Sequence, residues 1–338
     1  MREAEIRPAA LLAEYLRLSA ADADRFFRDP AALHHRACPG CGVDDADPAF
    51  RKNGFQLVTC GGCGTLYADP APTPTRLDSF YADSPSSNYW ANTFFPAVAE
   101  ARRSRIFRPR VERILAVMAR LGRTPRRVID VGAGAAVFLE EFRALLPDAD
   151  LRAVEPGHQL ATQCRDKGFE TFAGFAERAG ESDGWRGTAD LVTSFEVIEH
   201  VAETVPFVAA LGRLARPGGI VLVTGLTGDG FDIRALGAKS NAVCPPHHIN
   251  FLSRDGVAAL IGRAGLEEVE FFTPGQLDVD IVMNALNDDP EAVRDIALRN
   301  RLLDSSPHEL AELQAEIAEA NRSSHMWFVA QRPRESGT

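Results

Sequence analysis

Four cysteines and three histidines are the side chains of this sequence best suited to chemistry. Cys38 and Cys41 form one C-x2-C pair and Cys60 and Cys63 a second, with eighteen residues between the pairs. Two such pairs can close a tetrahedral thiolate site around zinc, and Gly40, Gly61 and Gly62 permit the tight turns that aim backbone amides at sulfur. Four thiolates leave zinc no open position for water, so the expected role is structural. A segment this small has little core of its own, and metal binding would supply much of its folding free energy. A redox role for either pair is the competing reading, against which stands the lack of a thioredoxin-like βαβ pattern around them. Cys164 and Cys244 stand alone and read as small apolar residues. His200 lies in "IEH", and His247 and His248 in "PPHHINF". An imidazole of ordinary pKa, about 6.5, can accept a proton near neutral pH.

A second constellation is built from glycines and carboxylates. The run "RVIDVGAGAA", Arg127 to Ala136, passes from strand through a glycine turn into a helix. Without a Cβ at Gly132 and Gly134 the backbone can approach a cofactor closely, and the helix start that follows exposes unpaired amides. Glu155 ends the next strand 25 residues after Asp130, where a carboxylate can accept hydrogen bonds from both hydroxyls of a ribose. A dinucleotide fingerprint would place glycine at position 137, where this chain has Val137. That argues against a pyrophosphate-bridged cofactor and is compatible with S-adenosylmethionine (SAM).

These residues need a scaffold that sets them at strand ends. From Arg127 onward, short β-branched runs alternate with amphipathic helices, the signature of a parallel sheet with crossover helices. Strands are expected over Val128–Val131, Leu151–Glu155, Phe169–Phe172, Leu191–Ser194, Ile220–Thr224, Val269–Phe272 and Met326–Ala330, with a helical insertion over 277–320 before the last. Ahead of them come a helical extension (1–37), the cysteine segment (38–75), ended by Pro70, Pro72 and Pro74, and a lid and linker helix (76–123). The lid is rich in aromatic residues, among them Tyr81, Tyr89 and Trp90. Arg102, Arg103 and Arg105 open the linker helix, either as a solvated face or as forks for phosphate oxygens. The sheet domain spans 124–332. In the insertion, Leu302, Leu303, Leu310, Leu313 and Ile317 fit a cover for the sheet's end, a homodimer contact or a partner's docking face.

The 338 residues carry a formal net charge of -10, which opposes a polyanion-binding role, and no nucleic-acid partner is expected. No apolar run approaches the roughly 20 residues that span a bilayer, and the N-terminus has no leader pattern. A cytoplasmic protein without membrane contact is expected.

Taken in order, "VIDVGAGAAVFLEEF", "AVEPG", "ADLVTSFEVIEHV", "LARPGGIVLVTG" and "PPHHINFLSRDGVAALIGRAGLEEVEF" resemble the Rossmann-like SAM-dependent methyltransferases. With the cysteine segment in front, the chain is similar to the bacterial zinc-module branch that includes deoxysugar C-methyltransferases, from about Cys38 to Phe272. The resemblance implies an α/β fold: a Rossmann-like, seven-stranded, mostly parallel sheet with helices on both faces, plus the small zinc module and the insertion. It implies SAM held by Asp130, Gly132, Ala133, Gly134, Glu155 and Pro156, with Phe195 and Glu196 lining the pocket and Gly174 to Glu177 near the adenine. Zn2+ would sit on Cys38, Cys41, Cys60 and Cys63. It further implies a small-molecule acceptor, a nucleotide-linked sugar methylated at carbon or oxygen, beneath Tyr81, Tyr89 and Trp90. His248 or His247 would be the base, His247 standing where glutamate is typical, with His200 serving the acceptor. The alternatives are O- or N-methylation of another metabolite, or a SAM-binding or interaction protein without catalysis.

Overall fold

The computed structural model describes residues 1–334. In chain order the strands that matter for the site are β1 (Ala46–Lys52), β2 (Phe55–Cys60), β3 (Leu66–Ala68), β4 (Arg127–Val131), β5 (Asp150–Glu155), β6 (Glu170–Ala173), β7 (Ala189–Phe195), β8 (Ala215–Leu226), β9 (Asn250–Phe251), β10 (Glu267–Phe272) and β11 (His325–Gln331). Seven of them form one sheet in the order β10-β11-β8-β7-β4-β5-β6. β11 alone runs antiparallel to its neighbours β8 and β10, while β4, β5, β6, β7 and β8 pair in parallel. This is the Rossmann-like sheet the alternating pattern predicts. Each expected strand is present, β8 being the most extended because its first residue pairs with Ala189 ahead of a register shift.

The central strands are apolar on both faces because helices cover both. Ile129, Val131, Val192, Val221 and Val223 face one core with the helix Thr204–Leu214, whereas Val128, Leu191, Ile220 and Leu222 face another with Val137–Leu145 and Arg108–Arg120. Such burial contributes roughly 25 cal/mol per Å² of apolar surface removed from water. Strand order reverses between β4 and β7, which opens a crevice beyond their C-terminal ends, where sheets of this kind hold ligands.

The cysteine segment folds as β1, β2 and β3, but its sheet has a fourth strand from elsewhere: β9 pairs antiparallel with β3, Asn250 opposite Tyr67 and Phe251 opposite Leu66. A boundary at residue 75 therefore cuts through a continuous sheet. Proline punctuation marks a change of local structure, and carries no information about which distant strand completes a sheet.

The N-terminal helix covers Ala9–Phe27 as its periodicity predicts. The lid is helical throughout: Pro74–Asp83, Pro85–Tyr89, a π-turn over Trp90–Phe94, Phe95–Arg102, a second π-turn over Arg103–Phe107, then Arg108–Arg120. The insertion contains helices Asp278–Asp288, Ile296–Asp304 and Pro307–Glu319. Of its apolar residues Leu302 and Ile317 are buried, and Leu310 and Leu313 pack against the insertion's own core, so Leu303, at 52% exposure, is the one of the five left facing solvent. No helix of the described residues is long and apolar enough to cross a membrane.

Candidate active site

The donor side of the crevice is built from the turns after β4 and β5. Gly132 has φ +76° and Gly134 φ +54°. A Cβ on Gly132 would lie 2.5 Å from Val197 Cγ2, so this position tolerates no side chain. Ala136 also adopts φ +57°, at a cost of roughly 1–2 kcal/mol that glycine would avoid, before the helix Val137–Leu145 begins. Glu155 braces the turn: Oε2 accepts from the Gly134 amide and Oε1 from the Gly157 amide, each at 2.8 Å. Burial raises the Glu155 pKa while these amides oppose the rise. Each oxygen keeps a second lone pair, which suits the two hydroxyls of a ribose. Asp130, buried one strand over, accepts from the Thr193 hydroxyl at 2.8 Å, and burial pushes its pKa up to about 7. Ala133 lies between the two glycines, Pro156 is exposed, and Phe175 beyond β6 presents a half-exposed ring beside Gly174. A glycine turn that admits no Cβ and a carboxylate with free lone pairs fit the adenosyl part of SAM.

On the acceptor side, β7 ends at Phe195, whose ring lies 4.6 Å from that of Phe138 and 4.6 Å beneath the Arg110 guanidinium. Glu196 follows with φ +52°. Its Oε1 accepts from the Thr224 hydroxyl (2.6 Å), from His325 Nε2 (2.8 Å) and from Arg110 (3.0 Å). Burial alone would raise this carboxyl, but His325, Arg110 and Thr224 together hold it well below the usual carboxylate range. Trp327 Nε1 donates to His325 Nδ1 at 3.3 Å, which fixes the tautomer that donates to Glu196. Arg110 and His325 escape a sequence reading, since one sits on a linker helix and the other opens the last strand, with no motif around either.

The histidines separate into two kinds. His248 Nδ1 lies 2.6 Å from the Ala242 carbonyl, which can only accept, so Nδ1 carries the proton and Nε2 a free lone pair. The Tyr81 hydroxyl lies 2.9 Å from His200 Nδ1 and 3.2 Å from the His247 carbonyl, and so tethers the His200 ring. The His200 and His248 rings are 4.8 Å apart. Glu199 completes the group, with ligand atoms of the three residues within 4.8 Å of one another and its Oε2 sealed from solvent without a partner. Burial raises Glu199 well above the usual carboxylate range, and lowers His248 to about 4 and His200 to about 3. Two neutral imidazoles and a carboxyl can pass a proton among themselves, and the same donor set suits a divalent cation.

His247, offered by the sequence as an alternative base, is instead a packing residue. It is 3% exposed, its Nε2 is 2.8 Å from the Ser86 hydroxyl, and the rings of Phe80, Tyr15 and Tyr81 lie 4.8, 5.2 and 5.9 Å away. The lid aromatics divide likewise. Tyr81 reaches the histidines, whereas Trp90 stacks on Phe94 at 4.4 Å and leans on Tyr15, with Tyr89 in the same cluster. Trp90 is therefore engaged within the protein, with Arg102 also lying 5.6 Å from its ring.

The four paired cysteines converge at the edge of the β1–β2–β3–β9 sheet. Cys38 and Cys63 sulfurs are 3.6 Å apart and those of Cys41 and Cys60 3.5 Å, and all are free of disulfides. A zinc tetrahedron with Zn–S near 2.3 Å has edges of about 3.8 Å, so the donor set fits that ion.

Residues 99–270, just over half of the chain, match a family model described as a methyltransferase domain. Ubiquinone biosynthesis O-methyltransferase of Xanthomonas oryzae pv. oryzae (strain PXO99A) is 29% identical over 161 residues, 45% of this chain and 66% of that protein. The protein of the same name from Burkholderia pseudomallei (strain 1710b) is 28% identical over 164 residues, 43% of this chain and 66% of its own length. The chain thus spans just under two thirds of these relatives. A SAM-dependent methyltransferase structure from Archaeoglobus fulgidus superposes with a TM-score of 0.48 at 14% identity, covering 71% of this chain and 100% of that one. By the span of the family match, the chain belongs to the methyltransferase-domain family.

Proposed function

We propose that the protein transfers a methyl group from SAM to a small acceptor, a nucleotide-linked sugar, with His248 as general base and Zn2+ held structurally by Cys38, Cys41, Cys60 and Cys63. When bound, SAM supplies an electrophilic methyl group on a sulfonium. Gly132, Gly134 and Glu155 would hold the adenosyl part at the ends of β4 and β5, which aligns donor and acceptor across the crevice. The observation that carries the reading is the His248 tautomer: its Nδ1 proton is committed to the Ala242 carbonyl, so Nε2 offers a lone pair, and burial keeps the ring neutral at pH 7 while weakening it as a base. His200, steadied by Tyr81, and Glu199 stand beside it to receive or return that proton. The six unpaired cysteines accord with a reducing compartment, the cytoplasm.

A second reading is O-methylation of a metabolite without a nucleotide, as the relatives' names suggest. The experiment that separates the two is transfer from isotopically labelled SAM into an extract enriched in nucleotide sugars, read by mass spectrometry with Gly132→Arg as control. A labelled product whose fragments include a nucleotide supports the first reading, and a labelled product without one supports the second. SAM binding with no labelled product would favour a non-catalytic role.

A further inference from the structure

From Arg103 to Arg110 every arginine of the lid and linker is paired. Arg103 bonds Glu140 and Glu141, Arg105 bonds Glu5, Arg108 bonds Glu141, and Arg110 bonds Glu196. Arg102 differs. Among the described residues it makes no hydrogen bond or ion pair, and its Nε is sealed from solvent without a partner. The guanidinium lies 5.6 Å from the Trp90 ring and 5.9 Å from that of Phe95. Burial first, and then the nearby charges of Arg7 and Arg110, weaken its hold on its proton, to about 9, with Glu196 the one carboxylate opposing them. An Nε–H sealed from water without an acceptor is costly, and the nearby charges of Arg7 and Arg110 add to that cost. A planar fork held against aromatic rings, with its donors free, is prepared for an oxyanion. Its location adds the rest: Arg110 bonds Glu196 at the end of β7, and Trp90, beside Arg102, packs on Tyr15, whose ring lies 5.2 Å from that of His247, so Arg102 and Arg110 border the acceptor side of the crevice, while Arg7, paired with Glu3 at 3.7 Å, adds its charge.

We propose that Arg102, with Arg7 and Arg110 beside it, binds a phosphoryl group carried by the methyl acceptor. This rests on the crevice being an acceptor site, and deepens that reading by assigning the acceptor's anionic part to named residues. Arg7 comes from the N-terminal arm and Arg102 from the lid, so binding also ties these two segments to the sheet domain.

The test is calorimetric titration of the full chain with inorganic pyrophosphate and, separately, with malonate, in the presence of saturating SAM. Pyrophosphate should bind, Arg102→Met should weaken it by about ten-fold or more, and Arg105→Met should leave it unchanged. SAM affinity should be the same in all three proteins. Arg102→Lys, which keeps the charge and loses the fork, should fall between, and it serves as the test protein if Arg102→Met fails to fold. No pyrophosphate binding to the unmodified protein, or equal binding by both Arg102 variants, overturns the proposal. Malonate binding as tightly with the same dependence on Arg102 overturns the phosphoryl assignment in favour of a carboxylate. Because the readout is binding, Arg102-dependent pyrophosphate affinity alongside no methyl transfer would refute the proposed reaction and leave this site standing.

Discussion

On the donor side of the crevice, Gly132, Gly134 and Glu155 come from two strands and the turns that follow them, braced by backbone amides. On the acceptor side, Arg110 comes from the linker helix, Tyr81 from the lid, Glu196, Glu199 and His200 from the loop after β7, His248 from the approach to β9, and His325 from β11. The donor half is a local structure that a sheet must make wherever strand order reverses. The acceptor half exists only when distant segments have packed, and its polar groups hold one another through side chains. A site of the first kind leans on few distant residues, here Thr193 and Val197, while one of the second kind is assembled from them.

The sharpest way to break this division is at His248. His248→Asn should lower turnover by roughly 100-fold or more and leave SAM affinity near that of the unmodified protein, measured by steady-state kinetics beside calorimetry. Equal turnover removes His248 as the base. The complementary change is Glu155→Ala, which deletes a charged acceptor for the ribose and the brace for Gly134. It should weaken SAM binding by about 10- to 100-fold, from hydrogen bonds to a charged group worth about 1.5–3 kcal/mol, and an unchanged dissociation constant would refute the clamp.

Metal removal probes the boundary between the halves. Since β3 pairs with β9 two residues after His248, stripping a bound metal with a chelator should impair turnover more than SAM affinity, and metal analysis of the untreated protein should return one zinc per chain. Equal loss of both would mean that the cysteine segment supports the whole fold and not the acceptor side in particular.

The smallest expected effect concerns Asp130. Its pKa is raised in the folded state from an ordinary 3.8 to about 7, so its contribution is fully present below the unfolded value and is lost as pH rises through about 7. Without SAM, the protein should lose stability between about pH 4 and pH 7, and Asp130→Asn should gain relative to it by roughly 2 kcal/mol on going from pH 5 to pH 8 in denaturant titrations. A parallel pH dependence for both proteins would show that Asp130 is ionised at little cost.

The same division explains what the sequence made legible. The seven strands, the glycine turn and Glu155 were readable because each is local: a β-branched run, a missing Cβ, a carboxylate at a strand end. The cysteine pairs were readable because ligand spacing is itself a local pattern. The pairing of Glu196 with Arg110 and His325 had no such signal, for an arginine in a row of arginines and a histidine before an apolar strand look like surface and edge. His247 and His248 were indistinguishable as neighbours in a chain, and only the fold shows that one points among aromatic rings while the other keeps a lone pair free.

The seam between β3 and β9 has a consequence for synthesis on the ribosome. The cysteine segment emerges early, but the strand that closes its sheet is made only after all five parallel strands. Until then β3 presents an unpaired edge, the kind of template that recruits stray strands from other chains. Early capture of a metal by the four thiols would hold that edge in shape while the remaining chain is made.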